Sequence, residues 1–219
     1  MKRTIGVSLL CLAVLTLTMA AFAAENHGTT TSKDGRVTIA ARGSMVTSNF
    51  KAPASATFIY NDLSSYPLGT YWCCEGWTIS GPTSLVGDTF AVGMPFTPSA
   101  NLTVTEIVVA VGYVSGTNSI QVFLDADNGG LPGDTLAHFY FANEPSFGSC
   151  CTFQFNNSLG VPVTAGSQYW VVVGPGAPDT WAAWNDNDTN ETAQSFAGYH
   201  DGVWGAAAGD LGGFAVLGH

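Results

Sequence analysis

The residues best suited to chemistry stand in two polar loops and two cysteine doublets. Asp125, Asp127, Asn128 and Asp134 fall within the run Asp125–Asp134, which also holds Gly129, Gly130 and the pair Pro132-Gly133. Three carboxylates and an amide on one loop offer hard oxygen ligands of the kind calcium takes. The spacing is not that of an EF-hand, because Gly129 stands where a third ligand is needed. The competing reading is a solvated hairpin turn. There Pro132 fixes φ at the first central position of a type II turn, Gly133 accepts positive φ at the second, and the Asp and Asn side chains bond their own backbone.

The second loop, Asn185 to Glu191, follows Trp181 and Trp184. Exposed beside Asn185, Asp186 and Asp188, and joined by Tyr199 and Trp204, these rings would form a carbohydrate face: aromatic faces stack on sugar C–H groups while amides and carboxylates bond the hydroxyls. The same tryptophans also suit the core of a small sandwich. With Cys11 removed by processing, the doublets Cys73-Cys74 and Cys150-Cys151 make an even set with three connectivities in an oxidising compartment. Bridges between the doublets, bridges within them and free thiols all stay open. Neighbours on a strand face opposite sides, so paired bridges between the doublets would need both in turns, which Gly76 and Gly148 permit. A zinc site is disfavoured, since adjacent cysteines lack the spacer that wraps the ion.

For catalysis, Glu75, Glu106, Glu144 and Glu191 are the glutamates that could pair as acid and base, but nothing in the sequence brings two of them to a glycosidase separation. Of the histidines, His138 lies on an expected strand and His200 stands beside Asp201. No G-x-S-x-G nucleophile motif occurs. Composition excludes more. Charged residues make up 10% of the 219, against roughly 25% in an ordinary soluble domain, and from Ala52 to His219 there is no Lys or Arg at all. Fourteen of the sixteen acids lie in that stretch. It can use no Lys/Arg–carboxylate ion pairs of its own, no Schiff-base lysine and no arginine clamp. Phosphoryl transfer is therefore disfavoured, and a nucleic-acid footprint is missing.

The elements that must position these groups read as follows. Met1 to Ala23 is a secretory signal, with Lys2 and Arg3, a short apolar stretch and Ala21-Phe22-Ala23 for cleavage. The apolar run is too short to span a bilayer, so no membrane span is expected in the mature chain. Residues 24–56 are rich in Thr, Ser and Ala and read as a flexible leader. From Thr57 to His219, short runs of Val, Ile, Phe, Tyr, Trp and Thr alternate with Gly, Pro, Asn and Asp, which is the text of an all-β domain. Leu102 to Val114 reads as one strand with Ile107, Val109 and Val111 inward, and Ile120, Val122 and Leu124 mark a second, expected to pair with it as a hairpin. Further strands are expected at Thr57–Tyr60, Trp77–Ser80, Asp88–Met94, Thr135–Ala142, Cys151–Phe155, Gln168–Gly174, Thr180–Asn185, Phe196–His200 and Phe214–Leu217. No window supports a helix; Ala206-Ala207-Ala208 is too short and flanked by glycine. The fold class is an antiparallel two-sheet β-sandwich or jelly roll.

Gly76-Trp77-Thr78-Ile79-Ser80-Gly81-Pro82, Phe96-Thr97-Pro98, and the strands leading into Asp127-Asn128-Gly129-Gly130-Leu131-Pro132-Gly133 and Leu136 resemble the secreted bacterial β-sandwich modules called choice-of-anchor domains. The resemblance covers Thr57 to about Trp184 and implies an exported module with no catalytic residues to carry over. Such modules typically precede a surface-sorting signal, and no such pattern stands at Gly212–His219. The expectation is a noncatalytic structural or adhesive module, secreted, extracellular or at the cell surface, with the periplasm as the alternative compartment. Its expected cofactor is calcium or none, and its expected partner an extracellular glycan or surface protein. A secreted glycan hydrolase using paired carboxylates is the alternative. The basic residues confined to the signal and leader also predict cation-sensitive stability and a trypsin-resistant core beginning near Ala52.

Overall fold

Alternating apolar residues and β-branched runs, punctuated by glycine and Asx turns, make strand the dominant structure. The protein is described by a computed structural model over residues 30–31, 35–38, 45–47, 56–63, 70–148, 153–189 and 192–219. The Met1–Ala23 signal, Cys150 and Cys151 lie outside the described residues. Three short strands come first: β1 (Thr30–Thr31), β2 (Arg36–Thr38) and β3 (Met45–Thr47). There follow β4 (Thr57–Asn61), β5 (Thr70–Ser80), β6 (Phe90–Phe96), β7 (Leu102–Val109), β8 (Val111–Ser115) and β9 (Ser119–Asp127). The remainder are β10 (Pro132–Ala142), β11 (Phe153–Val163), β12 (Tyr169–Pro175), β13 (Trp181–Asn187), β14 (Thr192–His200), β15 (Val203–Asp210) and β16 (Phe214–Gly218). Among the described residues there is no helix, and so none long and apolar enough to cross a membrane.

The strands form an all-β, antiparallel, two-sheet sandwich. The small sheet runs β11-β7-β16-β4. The large sheet follows β1-β2-β5-β6-β12-β9-β10, with β3 and β13 also on β5, β8 on β13, and the β14–β15 pair on β6. Between the sheets lie Ile107, Val109, Phe214 and Val216 from the small sheet and Ile79, Met94, Leu124, Val171 and Trp184 from the large one. Ile120, Val122 and Leu124 are fully buried, as their period of two predicts. The other face of β7 is covered too: Val108 and Ala110 pack with Leu63, Tyr71 and Leu217.

Three local readings are corrected. The expected strand from Leu102 to Val114 breaks at Ala110, where the chain leaves the small sheet for the large one. The Ala110 N–H donates to the Gly213 carbonyl at 2.9 Å, and its carbonyl accepts the Asn185 N–H at 2.8 Å. Because β8 then pairs with β13, and β9 with β10 and β12, the expected hairpin between them does not form. Its connecting turn is clasped instead by Thr180, whose hydroxyl lies 2.8 Å from the Thr117 carbonyl and 3.0 Å from that of Ser119. The turn placed at Pro132-Gly133 falls one step earlier: Gly129 and Gly130 carry φ 66 and 87, and Pro132 already pairs with Asp127. Proline suits a first strand position, where no N–H is needed. Ala206-Ala207-Ala208, read as too short for a helix, is indeed not helical and lies in β15, whose ladder to β14 overrides a weak strand propensity.

Strands β2 and β3 also carry the large sheet into the segment read as leader, both pairing with β5. Arg36 stands opposite Trp77 and Val37 opposite Gly76. A Cβ at Gly76 would meet the Trp184 carbonyl oxygen at 2.1 Å, so glycine is what lets β13 close on β5.

Candidate functional site

The sequence-predicted oxygen ligands do not converge. Asp125 is buried on β9, with one carboxylate oxygen lacking a hydrogen-bond partner. Burial pushes its carboxyl up, and a hydrogen bond with the Thr135 side chain pulls it partly back. Asp127 is taken up by neutral donors: the Gly130 N–H at 3.2 Å, Gln168 Nε2 at 2.9 Å and Trp170 Nε1 at 2.8 Å. Asn128 and Asp134 are exposed. Asp127 and Asn128 thus brace the turn. Among the described residues, the grouping of three His, Cys, Asp or Glu ligand atoms within 4.8 Å lies elsewhere, at Asp88, His200 and Asp201.

The expected carbohydrate face is corrected as well. Strand β13 runs between β5 and β8 and is buried along its whole length. Trp184 is 0% exposed, donates its Nε1–H to the Gly213 carbonyl at 3.0 Å and meets Phe214 edge-on at 5.9 Å. Trp181 is 7% exposed and packs with Phe147 and Ala183. Asn185 is buried and donates its Nδ2–H to the Ala110 carbonyl at 2.8 Å. Asp188 is half-buried. No ring face on β13 is open to a sugar.

Asp186 has a different role. It is buried and accepts Arg36 through both carboxylate oxygens, at 3.0 and 2.5 Å. The same guanidinium lies 4.6 Å from the centre of the Trp77 ring. Burial pushes the Asp186 carboxyl up to about 6; Arg36 opposes the shift, and Asp210 and Glu75 add to it. The acid-rich domain therefore does use an ion pair, with an arginine from the segment read as leader.

The other expected acids are dispersed. Glu106 is buried on β7, Glu75 is exposed on β5, and Glu191 lies outside the described residues. Glu144, after β10, is buried with neither carboxylate oxygen hydrogen-bonded, and its carboxyl is pushed up by that burial. Of the cysteines, Cys74 is buried in β5 with φ 78, a left-handed kink within a strand.

What the fold does build is an aromatic cavity of about 210 Å³ where β5 meets β6 and the β14–β15 pair. Strands β5 and β6 are in register at Ser80–Phe90, and β14 pairs with the other edge of β6 at His200–Phe90 and Gly198–Val92. The space between holds the rings of Trp77, Phe90, Phe196, Tyr199 and His200. Gly198 and Gly205 face each other in the β14–β15 ladder, and a Cβ at Gly198 would meet nothing within 4 Å, so a lane stays open between the rings. Trp77 meets Phe196 at 4.5 Å and 56°, with its Nε1–H on the Asp210 carbonyl at 2.8 Å. Tyr199 meets Trp204 edge-on at 5.3 Å. At the mouth, His200 stacks on Phe90 at 4.5 Å and 17°.

Sequence reasoning noticed His200 beside Asp201 but missed Asp88. Only the β6–β14 register, which sets His200 against Phe90, carries that aspartate to the histidine. Arg36 was missed for the same reason, its carboxylate partner being 150 residues away. No family model, curated protein or solved structure matches the chain.

Proposed function

We propose that the protein is an exported, noncatalytic β-sandwich module of the cell surface or extracellular matrix that binds a neutral glycan in its aromatic cavity. The observation that carries this reading is the cavity floored by the buried Trp77 and Phe196 rings and edged by the half-buried rings of Phe90 and Tyr199. Flat ring faces favour the C–H face of a pyranose, and the Tyr199 hydroxyl and His200 imidazole supply polar tips. A domain with fourteen acids and no Lys or Arg from Ala52 onward repels acidic sugars, which favours neutral ones. The basic, apolar and small-residue sections of Met1–Ala23 support export. The resemblance to choice-of-anchor modules supports a surface setting. Cross-linking of the cysteine doublets belongs to the same proposal; its support is the even set of four cysteines, with Cys74 buried.

Titration with neutral hexose and N-acetylhexosamine oligosaccharides, followed by tryptophan fluorescence, tests the reading. Saturable quenching is expected, with affinity weakened at least about tenfold in Tyr199→Ala, the loss of one stacking ring. No response across the neutral series would overturn it. A second reading rests on one observation: Asp88 and Asp201 place two carboxylates beside His200, which lines the cavity. Release of reducing ends from a bound glycan, lost in Asp88→Asn, would replace the binding module by a hydrolase.

A further inference from the structure

We propose that Asp88, His200 and Asp201 bind a divalent transition-metal ion of the zinc class at the mouth of the cavity. His200 Nε2 lies 3.3 Å from Oδ2 of Asp201 and 3.7 Å from Oδ2 of Asp88. Two atoms bound to one tetrahedral zinc at about 2.0–2.1 Å are themselves about 3.3 Å apart. The two His200 separations are near that spacing, and all three ligand atoms lie within 4.8 Å of one another.

Two features separate this group from a chance gathering of acids. The imidazole is held by its stack on Phe90, which fixes the ring with Nε2 toward both carboxylates. Those carboxylates also take no hydrogen bond from the described residues beyond the His200 contacts, whereas Asp127 is filled by N–H donors. Nor does any Lys or Arg of the stretch from Ala52 compete for them, and Arg36 is committed to Asp186.

The donor set selects the ion. Calcium takes six to eight oxygens, whereas one imidazole with two carboxylates suits zinc and its neighbours. Three protein ligands leave a fourth position for water or for a group of whatever occupies the cavity. The inference stands apart from the glycan reading, since the ion needs no sugar.

Calorimetric titration of the purified protein with zinc alone at pH 7 tests it. One equivalent is expected to bind, with affinity falling at least about tenfold in His200→Ala and in Asp88→Asn and staying unchanged in His138→Ala. Calcium in large excess should not displace the zinc. Should His200→Ala fail to fold, Asp201→Asn keeps the test open, as asparagine tolerates the φ of 48 at that position. Absence of binding, or binding undiminished in the His200 and Asp201 variants, would overturn the site. Loss of zinc binding with glycan quenching intact would reject the ion alone, and the converse would reject the glycan.

Discussion

Arg36 shows how one side chain can settle a charge problem for a domain. Asp186 is buried on β13, and without a cation its ionised form would face the full cost of leaving water. Removing one partner of such a pair strands the other. Arg36→Ala is therefore expected to lower unfolding free energy by about 3 kcal/mol, the lower end for buried pairs, since the guanidinium keeps some exposure. Urea denaturation of the two proteins measures it. The residue types were legible in the sequence, and so was the absence of basic partners from Ala52 onward. The pairing was not, because 150 residues separate Arg36 from Asp186 and no local pattern encodes a cross-strand register. The tryptophans of β13 mislead for a related reason. An aromatic beside an Asn/Asp run looks like a binding face until the strand is seen to have partners on both edges.

At the level of elements, β2 acts as a strap held to β5 by its ladder and to Asp186 by Arg36. Trypsin needs an extended, accessible chain around its target arginine. In the native protein the Arg36–Val37 bond is thus expected to be cut far more slowly than in Asp186→Asn, where the strap loses its anchor; mass spectrometry of timed digests decides it. This adds the Arg36–Val37 bond to the protection expected from Ala52 onward. Gly76 permits a second prediction. Alanine there would drive a methyl into the Trp184 carbonyl, so Gly76→Ala is expected to cost about 3 kcal/mol by forcing β5 and β13 apart, read by the shift of the urea midpoint. Strand existence was largely legible from alternation, as in Ile120, Val122 and Leu124. Strand partnership was not: the step between sheets at Ala110 depends on hydrogen bonds from Asn185 and to Gly213, which lie far along the chain.

For the whole molecule, acid surplus and buried carboxyls act in one direction. Asp125, Glu144 and Asp186 are all pushed up by burial, Asp186 to about 6. A carboxyl whose folded pKa exceeds its unfolded value favours the fold while protonated and opposes it once ionised. For Asp186 that contribution is full below about pH 4, near the free value, and lost as pH rises to about 6. The melting temperature is therefore expected to be higher at pH 5 than at pH 7.5, with a smaller difference in Asp186→Asn. Added salt should narrow the gap by screening repulsion among the remaining acids. Scanning calorimetry across that range checks the sign. The fold class was legible at this scale, because glycine-punctuated β-branched runs leave few alternatives to stacked sheets.

The position of β16 adds a matter of timing. Phe214–Gly218 is fully inside the small sheet, between β7 and β4, and the Phe214 N–H donates to the buried Asp62 carboxylate at 2.6 Å. Residues near 60 and near 105 therefore wait, during synthesis, for a segment made more than a hundred residues later. Until β16 emerges, β4 and β7 lack the strand between them, and a sandwich closed by such distant pairings forms slowly. A ribosome-stalled chain ending before Phe214 should stay protease-sensitive in its first half, and one with Gly218 free of the exit tunnel should not. The small sheet is thus expected to close only once Gly218 has been made.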